Sequence, residues 1–361
     1  MRIAFVLPGL ARTPIGGFKV VYEYANLLVD RGHQVTVVHP WHCHRPSSLR
    51  EQIDSWLWVA RRRRDPRKTV AWQPIDRRVE LSVVTCPSES ELPQDADALI
   101  ATAWQTAGWV ADATRGADRG FYLIQHFEPW DDEGEVRATW KLPLHKIVIS
   151  RWLEELAIEM GEGGRTSWVP NGLDFDCFGV DVPPEDRAPR VGALLNPYKC
   201  PEDVIASLSL ARERVPSLTA ATYGTAVRRD DLPEWVDYVR LPSPGELRRL
   251  YNSCSIFLQA SRTEGWGLPA TEAMACGCAL VTYENGGSRE YATDGETATV
   301  VFEHGAERLA DAIVALVDSP ARRLDLARHG RERAETFTWQ RSAEAFERVL
   351  SGAAGGREQG G

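Results

Sequence analysis

Short apolar runs alternate along this chain with stretches whose apolar positions recur at helical spacing. The runs suit parallel strands covered on both faces, and the spaced pattern suits amphipathic helices packed on such a sheet. RIAFVLPG opens the series and ends at Pro8 and Gly9. Phe18, Val21, Tyr22, Ala25 and Leu28 then mark a helix that Gly32 stops, and QVTVVH follows as a second strand. This βαβ unit carries a glycine pair, Gly16 and Gly17, ahead of its helix. The pair either faces a phosphate or permits a turn, since the three spaced glycines of a dinucleotide fingerprint are missing. That gap speaks against a dehydrogenase.

Residues 42–80 interrupt the alternation. Ile53, Trp56, Leu57 and Ala60 share one face of an expected helix, and six of the eight residues from Arg61 to Lys68 are basic. Two readings stand: a solvated insertion, or an acceptor-side surface. In the second, residues 48–68 would contact an anionic carrier or the headgroups at the inner face of a membrane.

The alternation resumes with VELSVVT, ADALIATA and RGFYLIQHFEPW, with a helix expected from Trp104 to Ala113. Gln125, His126 and Glu128 follow the strand YLI directly, where open α/β sheets place ligands. KIVIS and the helix WLEELAIEM close the first half. From TSWVPNGLDFDCF onward the pattern repeats. It gives strands RVGALL, LTAATYG, VDYVRL and TATVVF, and helices near 202–215, 245–252, 288–291, 306–317, 321–334 and 340–350. The tail GAAGGREQGG is expected to be disordered. The fold class read from this pattern is α/β, with two doubly wound Rossmann-like sheets facing a central cleft that holds ligands.

One stretch concentrates the chemistry. From Ser255 to Thr282 a buried strand, a glycine-rich turn, a helix start and another strand follow one another. Gly265 and Gly267 allow close backbone approach to a ligand, and Pro269 suits the opening of a helix. A helix N-terminus favours an anion. Glu272, expected in the first turn, would accept from a pair of hydroxyls. The turn reads as a seat for a sugar nucleotide.

Composition narrows the picture. At 361 residues, 43% hydrophobic and 26% charged, the chain is long enough for two cores. A net charge of -9 argues against a general nucleic-acid binder. Of seven cysteines, the nearest pair is Cys276-x-Cys278 with no second pair or histidine beside it, so no zinc or redox site is expected. No apolar run reaches the roughly 18 to 20 residues of a membrane span. The expected location is cytoplasmic, with reduced thiols.

The string S-R-T-E-G-W-G-L-P-A-T-E-A-M-A-C-G strongly resembles the signature of retaining glycosyltransferases of family four, which have the GT-B fold. IGGFKVVYEYANLLVDRGHQVTVV is similar to that family's opening unit, and PNGLDFDCF to its passage into a second domain. VGALLNPYKCPEDVIASLSLARERVP is similar to the first unit there, and FTWQRSAEAF to a C-terminal helix that crosses back onto the first domain. The resemblance spans nearly the whole chain except residues 42–80. YLIQHFEPW, KIVIS and LYNSCSIFL look closest to a bacterial branch that includes rhamnosyltransferases.

The resemblance implies an acceptor-side domain at 1–165, a nucleotide-sugar domain at 166–335, a crossing-back helix at 336–352 and a tail at 353–361. It implies Glu264 on the donor-sugar hydroxyls, Glu272 on the ribose diol, and the N–H groups of Gly267 and Leu268 on the diphosphate, with Gly265 in the same turn. Lys199 matches the lysine that neutralises the leaving diphosphate, Gly17 the glycine loop of the first domain, and His126 a donor-contacting histidine. Gln125, Glu128, Trp104 and Trp130 are the acceptor-side candidates. Trp41, Trp104 and Trp130 suit stacking on a sugar or an aglycone, and equally suit a core. One departure stands out: the family's arginine six residues before the lysine is Ala193 here, and the glycine after the lysine is Cys200. Arg228 or Arg262 would then supply the second cation.

The implied reaction moves a hexose or deoxyhexose from a nucleoside-diphosphate sugar to an acceptor hydroxyl with retention, in bacterial glycan or natural-product biosynthesis. No cofactor or metal is expected. Asp174-Phe-Asp176 resembles the metal motif of another glycosyltransferase fold, but it falls between the halves and reads as structural. The competing readings are a nucleotide-sugar-binding protein without transfer and a sugar-nucleotide epimerase. Partners would be the donor and a glycan, lipid-linked or small-molecule acceptor. Oligomeric state, donor sugar and nucleobase are not legible.

Overall fold

The computed structural model describes residues 1–41, 57, 66–85, 91–115, 117–129 and 132–352, with the backbone alone of 353–355. The chain divides into two compact units, Met1–Asn171 with Trp339–Gly361, and Gly172–Thr338.

In the first unit seven strands form one parallel sheet: β1 (Arg2–Val6), β2 (Gln34–Pro40), β3 (Glu80–Val84), β4 (Ala98–Ala101), β5 (Gly120–Ile124), β6 (His145–Val148) and β7 (Thr166–Trp168). Their order is β3-β2-β1-β4-β5-β6-β7, so the strand sequence reverses between β1 and β4. β4 and β5 are buried at every position, whereas β3 at one edge and β7 at the other are partly open. That gradient is why the central strands read as unbroken apolar runs. The helices are α1 (Gly16–Asp30), α2 (Trp104–Thr114), α3 (Glu133–Trp140) and α4 (Arg151–Glu159).

Two elements here were not read from the sequence. α3 has only Val136 and Trp140 buried, too few apolar positions to show a period, although Asp132 caps it by accepting from the Glu135 N–H at 3.0 Å. β7 is three residues long and was read as the start of the second half; its backbone pairs with β6 instead. The expected helix over residues 48–68 lies outside the described residues except for Leu57 and a short turn at Pro66–Lys68, as does most of the basic run.

The second unit holds a six-stranded parallel sheet in the order β10-β9-β8-β11-β12-β13. The strands are β8 (Arg190–Leu194), β9 (Thr219–Gly224), β10 (Val236–Arg240), β11 (Ile256–Gln259), β12 (Ala279–Tyr283) and β13 (Thr299–Val301). Around them run α5 (Pro201–Arg214), α6 (Pro244–Asn252), α7 (Leu268–Ala275), α8 (Ala306–Asp318) and α9 (Pro320–Ala334). Here the order reverses between β8 and β11. The two ends of this unit are tied together: the Leu173 N–H donates to the Phe337 carbonyl at 3.0 Å.

α10 (Trp339–Gly355) packs back on α1 within the first unit. Tyr24 stacks on Phe346 at 4.4 Å and meets Trp339 edge-on at 5.5 Å. Such aromatic pairs add about 0.5–1.5 kcal/mol each beyond their buried area. Glu347 takes Arg31 at 2.7 Å and His33 at 2.9 Å. The fold is the one expected, two Rossmann-like parallel-sheet domains with a returning C-terminal helix.

Candidate functional site

In an open parallel sheet, ligands bind beyond the strand ends at the point where the order reverses. In the second unit that point lies between β8 and β11, and the two loops leaving those strands carry Lys199 and Glu264. Lys199 Nζ donates to Glu264 Oε2 at 2.7 Å, with 26% and 12% of the two side chains exposed. Topology thus joins residues 65 positions apart in the chain.

The glutamate is held by its backbone. The Glu264 N–H donates to the Asn285 carbonyl at 2.9 Å, and the Glu264 carbonyl accepts from Gly287 N–H at 3.1 Å. A Cβ on Gly287 would lie 2.6 Å from the Trp266 carbonyl oxygen, so the two loops meet there only because that residue is glycine. Asn285 and Ser288 close the second loop reciprocally, at 2.9 and 3.2 Å. A short helix from Ser288 is all that the sequence predicts here, with no role for Asn285 to Gly287, although a Gly-Gly pair just beyond a buried strand was a visible signal.

Gly267 has φ +102 and precedes α7; a side chain there would meet the Tyr291 hydroxyl at 2.4 Å and the Gln259 amide at 2.6 Å. α7 begins at Leu268, so Pro269 is its second residue and Glu272 its fifth, one turn deeper than the spacing suggested. The first turn leaves N–H groups outside the helical ladder. Gly265 and Gly267 are buried in the turn, and Leu268 is half-buried.

Glu272 is 5% exposed. Its Oε2 accepts from the Tyr251 hydroxyl at 3.3 Å, and the Tyr251 and Tyr223 hydroxyls are 2.7 Å apart. Burial above all, with the Glu272 charge adding, raises both phenols far above their usual range, so both keep their protons. Neither tyrosine was singled out from the sequence.

The other expected cations have protein partners. The Arg228 guanidinium donates to the carbonyls of Leu232 and Pro233, each at 2.8 Å, and so closes its own loop. Arg262 pairs with Asp203 at 3.0 Å. Ala193 is fully buried in β8 among the core residues of this unit. Asp174 Oδ1 accepts from the N–H groups of Asp176 and Cys177 at 3.0 and 2.9 Å, a local turn. Cys276 and Cys278 are buried, and desolvation pushes the Cys276 thiol up to about 12. Among the described residues no cluster of His, Cys, Asp and Glu fits a metal ion.

In the first unit the reversal lies between β1 and β4. Gly16 and Gly17 are the first two residues of α1, not a loop ahead of it. Gln125 Nε2 donates to the Gly17 carbonyl at 3.1 Å, which joins two of the expected residues. The His126 ring Nδ1 sits on the Phe127 carbonyl and meets the Trp152 ring edge-on at 6.2 Å. Glu128 is half-buried, and its charge helps raise the Tyr122 phenol, which burial raises most. Trp104 opens α2 with its indole Nε1 buried and without a protein partner. The same holds for Ser150 Oγ at the start of α4, for Trp152 Nε1, and for His39 Nε2 at the end of β2. Trp130 lies outside the described residues. A groove of about 690 Å³ lined by His145, Arg151, Trp168 and Arg348 opens beside β7, and it holds none of the expected residues.

The family model described as glycosyl transferases group 1 matches residues 231–333. A D-inositol 3-phosphate glycosyltransferase of Arthrobacter sp. is 39% identical over 202 residues, 48% of this chain and 47% of that protein. D-inositol 3-phosphate glycosyltransferase 2 of Catenulispora acidiphila is 28% identical over 216 residues, 52% and 51% of the two chains. HepE of Anabaena, solved in complex with UDP-glucose, matches with a TM-score of 0.72 at 16% identity, over 98% of this chain and 100% of that one. The chain has the two-domain fold of these neighbours, and its residues 231–333 are similar to glycosyl transferases group 1. A sucrose-phosphate synthase of Thermosynechococcus elongatus has the same fold, with a TM-score of 0.72 at 16% identity over 99% and 100% of the chains. The chain spans about half the length of the curated relatives it matches. The group 1 match covers Glu264, Gly265, Gly267, Leu268 and Glu272 and begins after Lys199. No helix among the described residues is long and apolar enough to cross a membrane.

Proposed function

We propose that this protein transfers a sugar from a nucleoside-diphosphate sugar to an acceptor hydroxyl, with retention of anomeric configuration. The observation that carries the reading is the meeting of Lys199 and Glu264 where β8 and β11 diverge, beside the start of α7. When the anomeric C–O bond breaks, negative charge grows on the diphosphate. The Lys199 ammonium and the N–H groups of Gly267 and Leu268 are fixed donors for that charge, which is how a preorganised site lowers such a barrier. Glu264 takes the sugar hydroxyls and Glu272 the ribose diol. The leaving phosphate accepts the acceptor proton, so no protein base is assigned and no metal is needed.

The donor nucleotide, the hexosyl or deoxyhexosyl class and a bacterial biosynthetic setting belong to this proposal. UDP-glucose, present in the Anabaena neighbour's structure, is the first donor to try. Incubation with UDP-, GDP-, ADP- and dTDP-sugars, following nucleoside diphosphate release, tests transfer, and the NMR coupling of the product's anomeric proton tests retention. Chelator should leave the rate unchanged. One observation favours a second reading, binding without transfer: Ala193 is buried and both Arg228 and Arg262 are engaged elsewhere. Tight binding of one donor with no turnover across acceptors would establish that alternative.

A further inference from the structure

The buried chain of hydroxyls behind Glu272 has a direction. Tyr251 has one proton, and a carboxylate only accepts. If Tyr251 donates to Glu272 Oε2, its own oxygen is free to accept, and Tyr223 supplies the proton across the 2.7 Å contact. The polarity therefore runs from β9 through α6 to α7 and ends on a carboxylate, an arrangement in which each bond strengthens the next. The Tyr251 ring has no room to swing. It meets Tyr223 edge-on at 6.0 Å, Phe257 edge-on at 5.5 Å and Phe178 at 5.9 Å, and it is fully buried.

We propose that Tyr251, oriented by Tyr223, is a positioning residue that fixes the Glu272 carboxylate for the two ribose hydroxyls of the nucleotide. The pair then sets the preference for a ribonucleotide over a dideoxyribonucleotide without touching either. This rests on the reading of Glu272 as the ribose-binding acid. One lone pair of Oε2 is occupied by Tyr251, which restrains the rotamer in which the carboxylate is presented. Loss of the phenolic hydroxyl removes that restraint, while the ring remains in place.

The test uses the full chain and isothermal titration with whichever of UDP, GDP and ADP binds tightest, together with its 2′,3′-dideoxy counterpart, which lacks both hydroxyls of the diol. Wild type should prefer the ribonucleotide, and Tyr251→Phe should lose about ten-fold of that affinity, as for a hydrogen bond to a charged group. Its affinity for the dideoxynucleotide should stay within about two-fold. Tyr223→Phe should show the same pattern at roughly three-fold. An equal loss for both nucleotides in Tyr251→Phe, or unchanged ribose preference in a folded variant, overturns the inference. Glu272→Ala separates the two claims. If it keeps the ribose preference, the reading of Glu272 falls and takes this inference with it; if it abolishes the preference while Tyr251→Phe does not, only the positioning role falls. Binding by none of the three nucleotides removes both. Circular dichroism confirms that each variant is folded.

Discussion

In the second unit Lys199, Arg262 and Glu272 are matched by the protein, with the buried Gln259 amide at the end of β11 the exception, whereas at the strand ends of the first unit several polar groups are unmatched. Lys199 has Glu264, Glu272 has Tyr251, and Arg262 has Asp203. In the first unit Trp104 Nε1, Ser150 Oγ, Trp152 Nε1 and His39 Nε2 are buried without protein partners. A buried polar group left so costs on the order of 1–3 kcal/mol. A site for a chemically fixed ligand, such as a diphosphate and a ribose, can be preorganised by ion pairs built into the fold. On the proposed reading, an acceptor bound at the first unit completes some of its unmatched hydrogen bonds.

The largest effect expected from this contrast is on the second unit. Lys199→Ala removes the cation proposed to face the departing diphosphate and takes its ion-pair partner from a mostly buried carboxylate. Turnover should fall by about 10²–10³, some 3–4 kcal/mol of transition-state stabilisation. Glu264→Gln should fall by a similar factor. Single-turnover rates with saturating donor check this, and near-wild-type rates in either variant would remove that residue from the chemistry.

The two regions were also unequally legible. Glu264, Gly265, Gly267 and Glu272 lie in one short stretch that reads as strand, turn and helix start, and the family resemblance of the whole string marked its two acids. Lys199 needed the family resemblance, because its contact with Glu264 depends on β8 and β11 being neighbours across a crossover. Tyr223 and Tyr251 look like core aromatics in sequence, and most of each ring is core. Their function resides in one hydroxyl apiece, which no periodicity reveals. In the first unit Gln125 and His126 were found from their strand end, yet their partners are backbone carbonyls that sequence does not display. Ser150 was invisible, because a serine before a helix ordinarily reads as a cap.

A second effect separates the units by pH. His39 is fully buried beside the Tyr22 ring, and desolvation pushes it down to about 4, against a hydrogen bond with the Gly9 carbonyl that raises it. Between that value and its ordinary 6.5 the unfolded chain takes up a proton that the folded chain refuses. Stability is therefore complete above about pH 6.5 and declines as pH falls toward 4, by up to about 3 kcal/mol. Thermal unfolding from pH 4 to 7 should show that slope in wild type and lose most of it in His39→Phe. An equal slope in both would assign it to other groups.

Glycines give a smaller and more local contrast. Gly267→Ala forces a side chain into φ +102 and against the Tyr291 hydroxyl, which should cost about 1–3 kcal/mol and weaken nucleotide binding. Gly16→Ala places a methyl where nothing lies within 4 Å, at the start of a helix, and should be neutral or stabilising by up to about 1 kcal/mol. Urea unfolding of the two variants measures both. A loss of donor affinity in Gly16→Ala would instead argue that this glycine meets a phosphate.

The smallest effect compares two serines in the same formal position. Ser243 precedes α6, and its Oγ accepts from the Glu246 N–H at 3.3 Å while Glu246 Oε2 accepts from the Ser243 N–H at 2.9 Å. Ser243→Ala should cost about 1 kcal/mol. Ser150 precedes α4, makes no such bond, and is fully buried. Its replacement by alanine deletes a group that the folded protein leaves unsatisfied, so the unfolding midpoint should stay level or rise slightly. Transfer to an acceptor should fall all the same, relative to hydrolysis of the donor. A destabilisation of Ser150→Ala equal to that of Ser243→Ala would show that Ser150 serves its own helix, and the contrast between a matched face and an unmatched one would fail at that residue.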